Sequence, residues 1–424
     1  MTKKTKSERG SSRKIVFYVA ISSLFLLFGF LYNVLFTALE NGDSTNIGIQ
    51  TNHKQILGKD SAMSAFSDTN AKHTLQHISA NPKYVTVLLP SVVNPKGRSK
   101  RLDSISKTWG PFAHAIYVTH PGTDSDYTLQ NTDSNSFPKL MLIEPHIATE
   151  EDGVARLKYV ISQVYQQYNP DFAFFANDHT FIIPQHLCSF LESHNFDPEE
   201  HLYAGHALRP KNQKKGKYAF NSGASGYFLS RKTMKELIDA WERHDEHCES
   251  TRKWLQGNPG LLTAECLKHG MGVDVIDTRD EAKRHVFHAF GIVRVVKNEM
   301  DAWYKTKHED LAEILGEDNV FHHELQSGVN CCSPMTASFH YVEWKETLAL
   351  WNILNHVTNS RDSYNNIAMS DDEIKTLINE QWPIEKKDVG GYAHNLPIEK
   401  KTNVWNDLIQ VIKMISPLQQ EGFC

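Results

Sequence analysis

The sequence predicts an α/β fold: a mostly parallel sheet with helices on its faces. Three observations predict it. Asp171–Pro184, DFAFFANDHTFIIP, holds the apolar run Phe172–Ala176, which is too short for a helix and reads as a buried strand. Strand-like and helix-like segments then alternate upstream of it, the order that a parallel sheet requires. Apolar residues make up 40% of 424 residues, enough for a sizeable core. The Phe172–Ala176 strand stops abruptly at Asn177, Asp178 and His179. A carboxylate and an imidazole at the carboxyl end of a buried strand are costly unless they bind something. Ligands of open α/β sheets collect at that end. Taken alone, an Asn-Asp turn between two core strands would leave the same letters.

The chain begins with a basic tail, residues 1–14, carrying Lys3, Lys4, Lys6, Arg9, Arg13 and Lys14 against one acid, Glu8. Ile15–Leu39 follows without a charge. It is long enough to cross a hydrocarbon core of ~30 Å as a helix, and it is longer and bulkier than a cleavable signal. Basic residues before the span keep the N-terminus cytosolic and place the remainder in the lumen. Residues 40–80 are polar, without a sustained hydrophobic period, and read as a flexible stem.

Order begins near Lys83. Tyr84–Leu89 reads as a buried strand stopped by Pro90, and Gly97–Trp109 as a helix ending at Gly110-Pro111. Ala115–Val118 and Lys139–Ile143 read as strands. Val154–Tyr168 has a helical period and leads through Asn169-Pro170 to the Phe172 strand. Gln185–Ser193, Lys232–Arg243, Leu261–His269 and Trp344–Val357 read as further helices, and Leu202–Gly205 as a short strand. Arg209–Lys217, RPKNQKKGK, reads as a solvated basic loop. Phe220–Ser230, FNSGASGYFLS, sets small residues before a second apolar run; its glycines suit either a turn or close approach to a ligand. Residues 81–357 form the expected folded domain, and residues 358–424 a more polar C-terminal extension in which PIEKK occurs twice.

A formal charge of −5 and an isoelectric point near 6.5 argue against a nucleic-acid surface. The 22 histidines are scattered, not gathered in a metal-binding tract. All six cysteines, Cys188, Cys248, Cys266, Cys331, Cys332 and Cys424, lie beyond the predicted span, so disulfides are expected. No C-x-x-C spacing points to zinc. Adjacent Cys331 and Cys332 are expected to bond separate partners. No N-x-S/T acceptor follows the span.

Several motifs now stand in a recognisable order. Cys331–Val342 reads CCS then SFHYV. Asn177-Asp178-His179-Thr180-Phe181 stands where an acidic triplet precedes Thr and an aromatic. Ser222–Ser230 reads SGASGYFLS, Phe287–Phe290 reads FHAF, and Lys107-Thr108-Trp109 is a weaker match. With these motifs the chain resembles the glycosyltransferase family 31 β-1,3-galactosyltransferases, nearest the core 1 subgroup that acts on glycoprotein N-acetylgalactosamine. The resemblance spans about Tyr84 to Val357.

That resemblance implies a single-pass type II membrane protein of the Golgi or endoplasmic reticulum with a lumenal GT-A, Rossmann-like domain. It implies transfer of galactose from UDP-galactose to a glycoprotein or glycan acceptor with inversion, using manganese (Mn2+); a homodimer is among the assemblies it allows. Carried over residue by residue, it makes His179 and His288, with Asp178, the metal set. Asn177, Asp178, Ser222, Gly223 and Gly226 become the donor-binding set. Oxygen and imidazole ligands suit Mn2+, whose role would be to offset charge on the leaving diphosphate.

Two departures weigh against activity. The triplet reads Asn-Asp-His, which removes two carboxylates. Pro259-Gly260 stands where the family carries the acidic pair that supplies its base. Glu265, Asp277 and Asp280 are the nearby acids, and the sequence does not choose among them. The competing readings are a non-catalytic folding partner of such an enzyme, a transferase with another donor or acceptor, and a lumenal sugar-binding protein without turnover.

Overall fold

The computed structural model describes residues 83–90, 97–120, 138–149, 152–208, 219–249, 259–300, 326–362, 368–382 and 402–417. The predicted tail, membrane span and stem, and the basic loop Arg209–Lys217, lie outside them. Among the described residues no helix is long and apolar enough to cross a membrane.

The main sheet is built from β1 (Tyr84–Leu88), β2 (Ala115–Thr119), β3 (Lys139–Leu142), β4 (Phe172–Ala176), β6 (Tyr203–Gly205) and β9 (Tyr227–Ser230), in the order β3-β2-β1-β4-β9-β6. The first four are parallel; β9 runs antiparallel to both β4 and β6. Helix α1 (Arg98–Ser106) follows β1, and α2 (Gly153–Tyr168) leads into β4. Both strands therefore end on the same edge, in register from Tyr84↔Phe172 to Leu88↔Ala176. Since β2 and β4 flank β1 on opposite sides, the crevice beyond β1 and β4 is where such sheets bind ligands.

Strand alternation divides the core in two. Val85, Val87, Ala173 and Phe175 face α2 and α4 (Arg231–Glu242), which return Leu157, Val160, Ile161, Val164, Met234 and Leu237. Both helices start on a side-chain cap, Asp152 accepting from the Ala155 N–H and Ser230 from the Thr233 N–H. Tyr84, Leu88, Phe172, Phe174 and Phe228 face the opposite way, onto α3 (Pro184–Ser193) and a small sheet. That sheet has the order β10-β11-β5, from β10 (Phe287–His288), β11 (Ser338–Phe339) and β5 (Phe181–Ile182). The two-residue strands β7 (Ala207–Leu208) and β8 (Phe220–Asn221) pair separately.

Three differences from the sequence expectations stand out. The segment Leu261–His269 is helix α5 (Pro259–Glu265) continued by a π-helical turn, Cys266–Gly270, so Pro259 opens a helix, where its missing N–H costs nothing. The region from 358 onward is not a mere appendage. Helix α7 (Trp344–Asp362), which follows the short helix α6 (Ile292–Val296), extends into its start, and α8 (Asp371–Gln381) and α9 (Thr402–Ile415) put Ile374, Ile378, Leu408 and Ile412 into the same core as Leu350 and Ile353. Helix α8 is fixed by a reciprocal cap between Ser370 and Glu373.

The third difference corrects a cysteine assignment. Cys331 and Cys332 are bonded to each other, not to separate partners. Among the other described cysteines, Cys248 is joined to Cys266, and Cys188 is also disulfide-bonded. The pair is fully buried just after a 3-10 turn at Gly328–Asn330, with Cys332 bridged to His285.

Candidate functional site

The polar end of β4 is built as the sequence suggests, but each side chain has its own partner. Asn177 organises the turn: its Oδ1 accepts from the His179 N–H (2.9 Å) and the Thr180 hydroxyl (3.2 Å). Its Nδ2 donates to His340 Nε2 at 3.0 Å. The Thr180 hydroxyl also lies 2.7 Å from the Ala224 carbonyl, so the Ser222–Gly226 turn sits against this loop. Antiparallel pairing of β9 on β4 makes that contact possible, because β9 begins where β4 ends, at Phe175↔Tyr227.

Asp178 turns toward α1 and β2. Its Oδ2 accepts from Arg101 Nε at 2.9 Å and from the Tyr117 hydroxyl at 3.4 Å, and the ion pair is buried, with side-chain exposure of 1% and 0%. The bridge therefore ties α1, β2 and the β4 loop together across the carboxyl ends of three parallel strands. His179 turns the other way, Nδ1 lying 3.3 Å from Glu343 Oε1 just before α7.

His288 is elsewhere. Its ring stacks on Phe339 at 4.7 Å, and its Nε2 lies 3.3 Å from the Thr336 hydroxyl. His285 stands 6.2 Å from it, ring to ring, and His206 packs on His285 at 4.6 Å. Burial, reinforced by the positive charge His206 can carry, pushes the His288 pKa down to about 3. His340, the neighbour of Asn177, is likewise held down at about 3, by burial and then by His179.

Asp178, His179 and His288 thus do not converge. One is committed to an arginine, one faces a glutamate, and one is sealed against an aromatic ring. Among the described residues no three His, Cys, Asp or Glu side chains are placed to hold a metal ion. In this arrangement the residues do not fit Mn2+, since a hard divalent ion needs oxygen or nitrogen donors aimed at one point.

The donor candidates are brought together only in part. Asn177, Asp178 and Ser222 lie in the two touching loops, and the Ser222 N–H donates to the His206 carbonyl at 2.8 Å. Gly223 is exposed and a Cβ there would meet nothing closer than Tyr227 at 3.8 Å. Gly226 is needed by the core: φ is +90° and a Cβ would stand 2.1 Å from the Phe174 ring. Of the acids, Asp277 is held by Arg279 through two contacts of 2.9 Å, and Asp280 by Arg284 at 2.8 Å. Glu265 is buried at the end of α5.

Sequence reasoning missed the residues that complete this end. Arg101 read as one more charge on a helix, and Glu343 carried no signal of its own. Glu346 is a further surprise: burial, and then the nearby Glu343 charge, raise its carboxyl to about 7 although the Glu343 N–H donates to it. Glu346 also lines a pocket with Gly291, Arg294, Tyr341 and Trp382, which contains none of the residues picked from the sequence.

Comparison with known proteins gives a relative to weigh against this geometry. The chain is 25% identical over 198 residues to glycoprotein-N-acetylgalactosamine 3-beta-galactosyltransferase 1 of Xenopus laevis, covering 46% of this chain and 48% of that protein. The motif resemblance to the β-1,3-galactosyltransferases is borne out. The chain spans about half the length of the relative it matches. No family model matches the chain. The α/β sheet with its parallel strands fits a GT-A-like glycosyltransferase.

Proposed function

We propose that this protein is a β-1,3-glycosyltransferase of the secretory pathway. In this reading it transfers galactose from UDP-galactose to N-acetylgalactosamine on a glycoprotein, with inversion. The observation that carries the reading is the contact between the Asn177–Thr180 loop and the Ser222–Gly226 turn at the carboxyl end of β4. Two motifs far apart in sequence meet where an α/β sheet takes a nucleotide. The likeness to the Xenopus laevis protein supports a galactosyl donor and an N-acetylgalactosamine acceptor for that crevice. A Golgi membrane, a type II anchor at Ile15–Leu39 and a lumenal domain belong to the same reading.

Inversion requires a base within hydrogen-bond reach of the acceptor hydroxyl. Asp277 and Asp280 are each tied to an arginine. Those ion pairs, with Pro259-Gly260 opening a helix, favour a second reading: a non-catalytic relative that assists the folding of an active one. The test is UDP release from UDP-galactose with an N-acetylgalactosaminyl peptide. Release dependent on the peptide supports transfer. UDP binding without release, across several UDP-sugars and acceptors, would establish the second reading instead.

A further inference from the structure

The pocket that holds Glu346 adjoins the polar end of β4. Three elements line it. The segment after β11 contributes Tyr341 and Val342, and the Val342 N–H donates to the His179 carbonyl at 2.9 Å, so this wall is bonded to the loop after β4. Helix α6 contributes its start at Gly291, where a Cβ would stand 3.4 Å from the Tyr341 carbonyl. The C-terminal extension contributes Trp382, at the end of α8. The space is about 350 Å3 with its open mouth, enough for one sugar residue. Its lining is mostly apolar: Val342, Leu350 and Trp382 are all buried. Arg294 is engaged elsewhere, donating to the Glu299 carbonyl at 3.1 Å and lying over the Phe290 ring. Glu346, in the first turn of α7, is half-buried. Its Oε2 accepts from the Glu343 N–H at 3.0 Å, and among the described residues its Oε1 has no hydrogen-bond partner. One oxygen aims the carboxyl and the other is left to the pocket. Tyr341 stands at φ +58°, a left-handed backbone that is rare for tyrosine and gathers at ligand sites.

An apolar, aromatic-walled space with one aimed acceptor suits a neutral ligand that carries both C–H faces and O–H or N–H donors. A sugar residue has both, whereas the phosphates of a nucleotide would be repelled by the carboxylate. We propose that this pocket is the acceptor subsite: it takes the N-acetylgalactosaminyl residue, whose hydroxyl or amide donors bond Glu346 Oε1 while its apolar groups lie against Trp382, Val342 and Leu350. The inference rests on the transfer reading above, and it gives the C-terminal extension a part in that reading. A carboxylate accepts such donors more strongly than a protonated carboxyl does, so a bound sugar draws on the ionised form. Burial, and then the Glu343 charge, hold the Glu346 carboxyl at about 7, so its ionised share changes most between pH 6 and pH 8. The other titratable or charged groups around it are Glu343 with His179 behind it, Arg294 from α6, and Tyr341. Lys345 and Lys100 of α1 both lie over the Trp344 ring, and α8 brings the uncharged Trp382.

The experiment titrates an N-acetylgalactosaminyl peptide into the full-length protein by calorimetry at pH 6 and pH 8, with the unglycosylated peptide as control. The glycopeptide should bind about tenfold more tightly at pH 8, the change in ionised share of a group that titrates near 7, and the bare peptide should not bind. Binding at pH 6 should release protons, read by repeating the titration in buffers of different ionisation enthalpy, a measurement that needs no variant. Glu346→Gln should remove the pH dependence and weaken the glycopeptide at pH 8 by about tenfold, with UDP affinity kept within about twofold. His179→Gln should leave the pH dependence in place. A pH dependence that survives Glu346→Gln, or one abolished by His179→Gln, overturns the inference. Equal binding of the two peptides, or no glycopeptide binding at either pH, overturns it too. Absence of UDP binding with the glycopeptide profile intact overturns the transfer reading and leaves the pocket as a sugar site.

Discussion

Two buried polar clusters belong to neighbouring elements, and they solve the same problem in opposite ways. At the end of β4, the Asp178 carboxyl is met by the Arg101 guanidinium, both side chains buried. Around β10, His288 is buried against Phe339 with Thr336 and His285 near it, and its proton is driven off. A buried group keeps its charge when a counter-charge is delivered and loses it when burial dominates. The difference explains why three residues that look alike as ligands in the sequence are not alike in the fold. Of the two, only the Asp178 cluster is built on a buried ion pair.

The link between the clusters is where the largest effect is expected. The Ser222–Gly226 turn accepts from Thr180 through Ala224, and from Ser338 of β11 through Ser225, at 2.7 and 2.6 Å. Gly226→Val puts a branched side chain into the Phe174 ring at a positive φ. The protein should fail to fold, read as loss of a cooperative thermal transition. A folded Gly226→Val with normal melting would break the idea that this turn joins the two regions.

Next comes the charged cluster. Asp178→Ala leaves Arg101 buried with its carboxylate gone and should cost about 3–5 kcal/mol in urea unfolding. Adding Arg101→Met should recover much of that loss, since an apolar pair of similar volume is tolerated where a lone charge is not. If the double variant is as unstable as the single one, Arg101 is not paying a charge penalty and the contrast with His288 weakens.

The neutral cluster should show itself in acid. His288 and His340 are both held at about 3, below the ordinary histidine value of 6.5. Because their folded-state values are depressed, the stability they confer is complete above about pH 6.5 and is lost progressively as pH falls toward 3, where the unfolded chain binds protons that the folded one refuses. Each group should withdraw about 1.4 kcal/mol per pH unit over that window. His114 and His186, pushed to about 4 mainly by burial, add to the same limb. Melting temperature against pH measures it, and His288→Gln should flatten the limb. An unchanged slope in that variant would place the acid sensitivity elsewhere.

Strand β4 and its polar end were legible because a short apolar run stopped by Asn-Asp-His has few other readings. The parallel order of β1 to β4 followed from alternation with helical periods. The small sheet was not legible: two-residue strands such as Phe181–Ile182 carry no period to detect. Gly226 read as a ligand glycine because sequence cannot show that Phe174, 52 positions earlier, fills the space its Cβ would need. Arg101 and Asp178 lie 77 residues apart, so their pairing had no local signature. The SFHYV motif contains His340 without marking it, and only folding puts it against Asn177 and leaves Glu343 facing His179.

The smallest effect tests whether that last pair belongs with the charged cluster or the neutral one. Glu343 is 24% exposed, unlike Asp178, so water screens its contact with His179. Glu343→Gln removes the pair and, at the same time, a negative charge that helps raise Glu346. Glu346, raised to about 7, adds stability below its ordinary value of 4.5 and loses it as pH rises through 7. Relieving it should make the alkaline decline shallower. The two effects oppose each other above pH 7, and the net change there should be under about 1 kcal/mol. Urea unfolding at pH 5.5 and pH 8 separates them: the variant should be slightly less stable at the lower pH and equal or better at the higher. A loss above about 2 kcal/mol at both would mean that His179 and Glu343 form a buried pair of the Arg101–Asp178 kind.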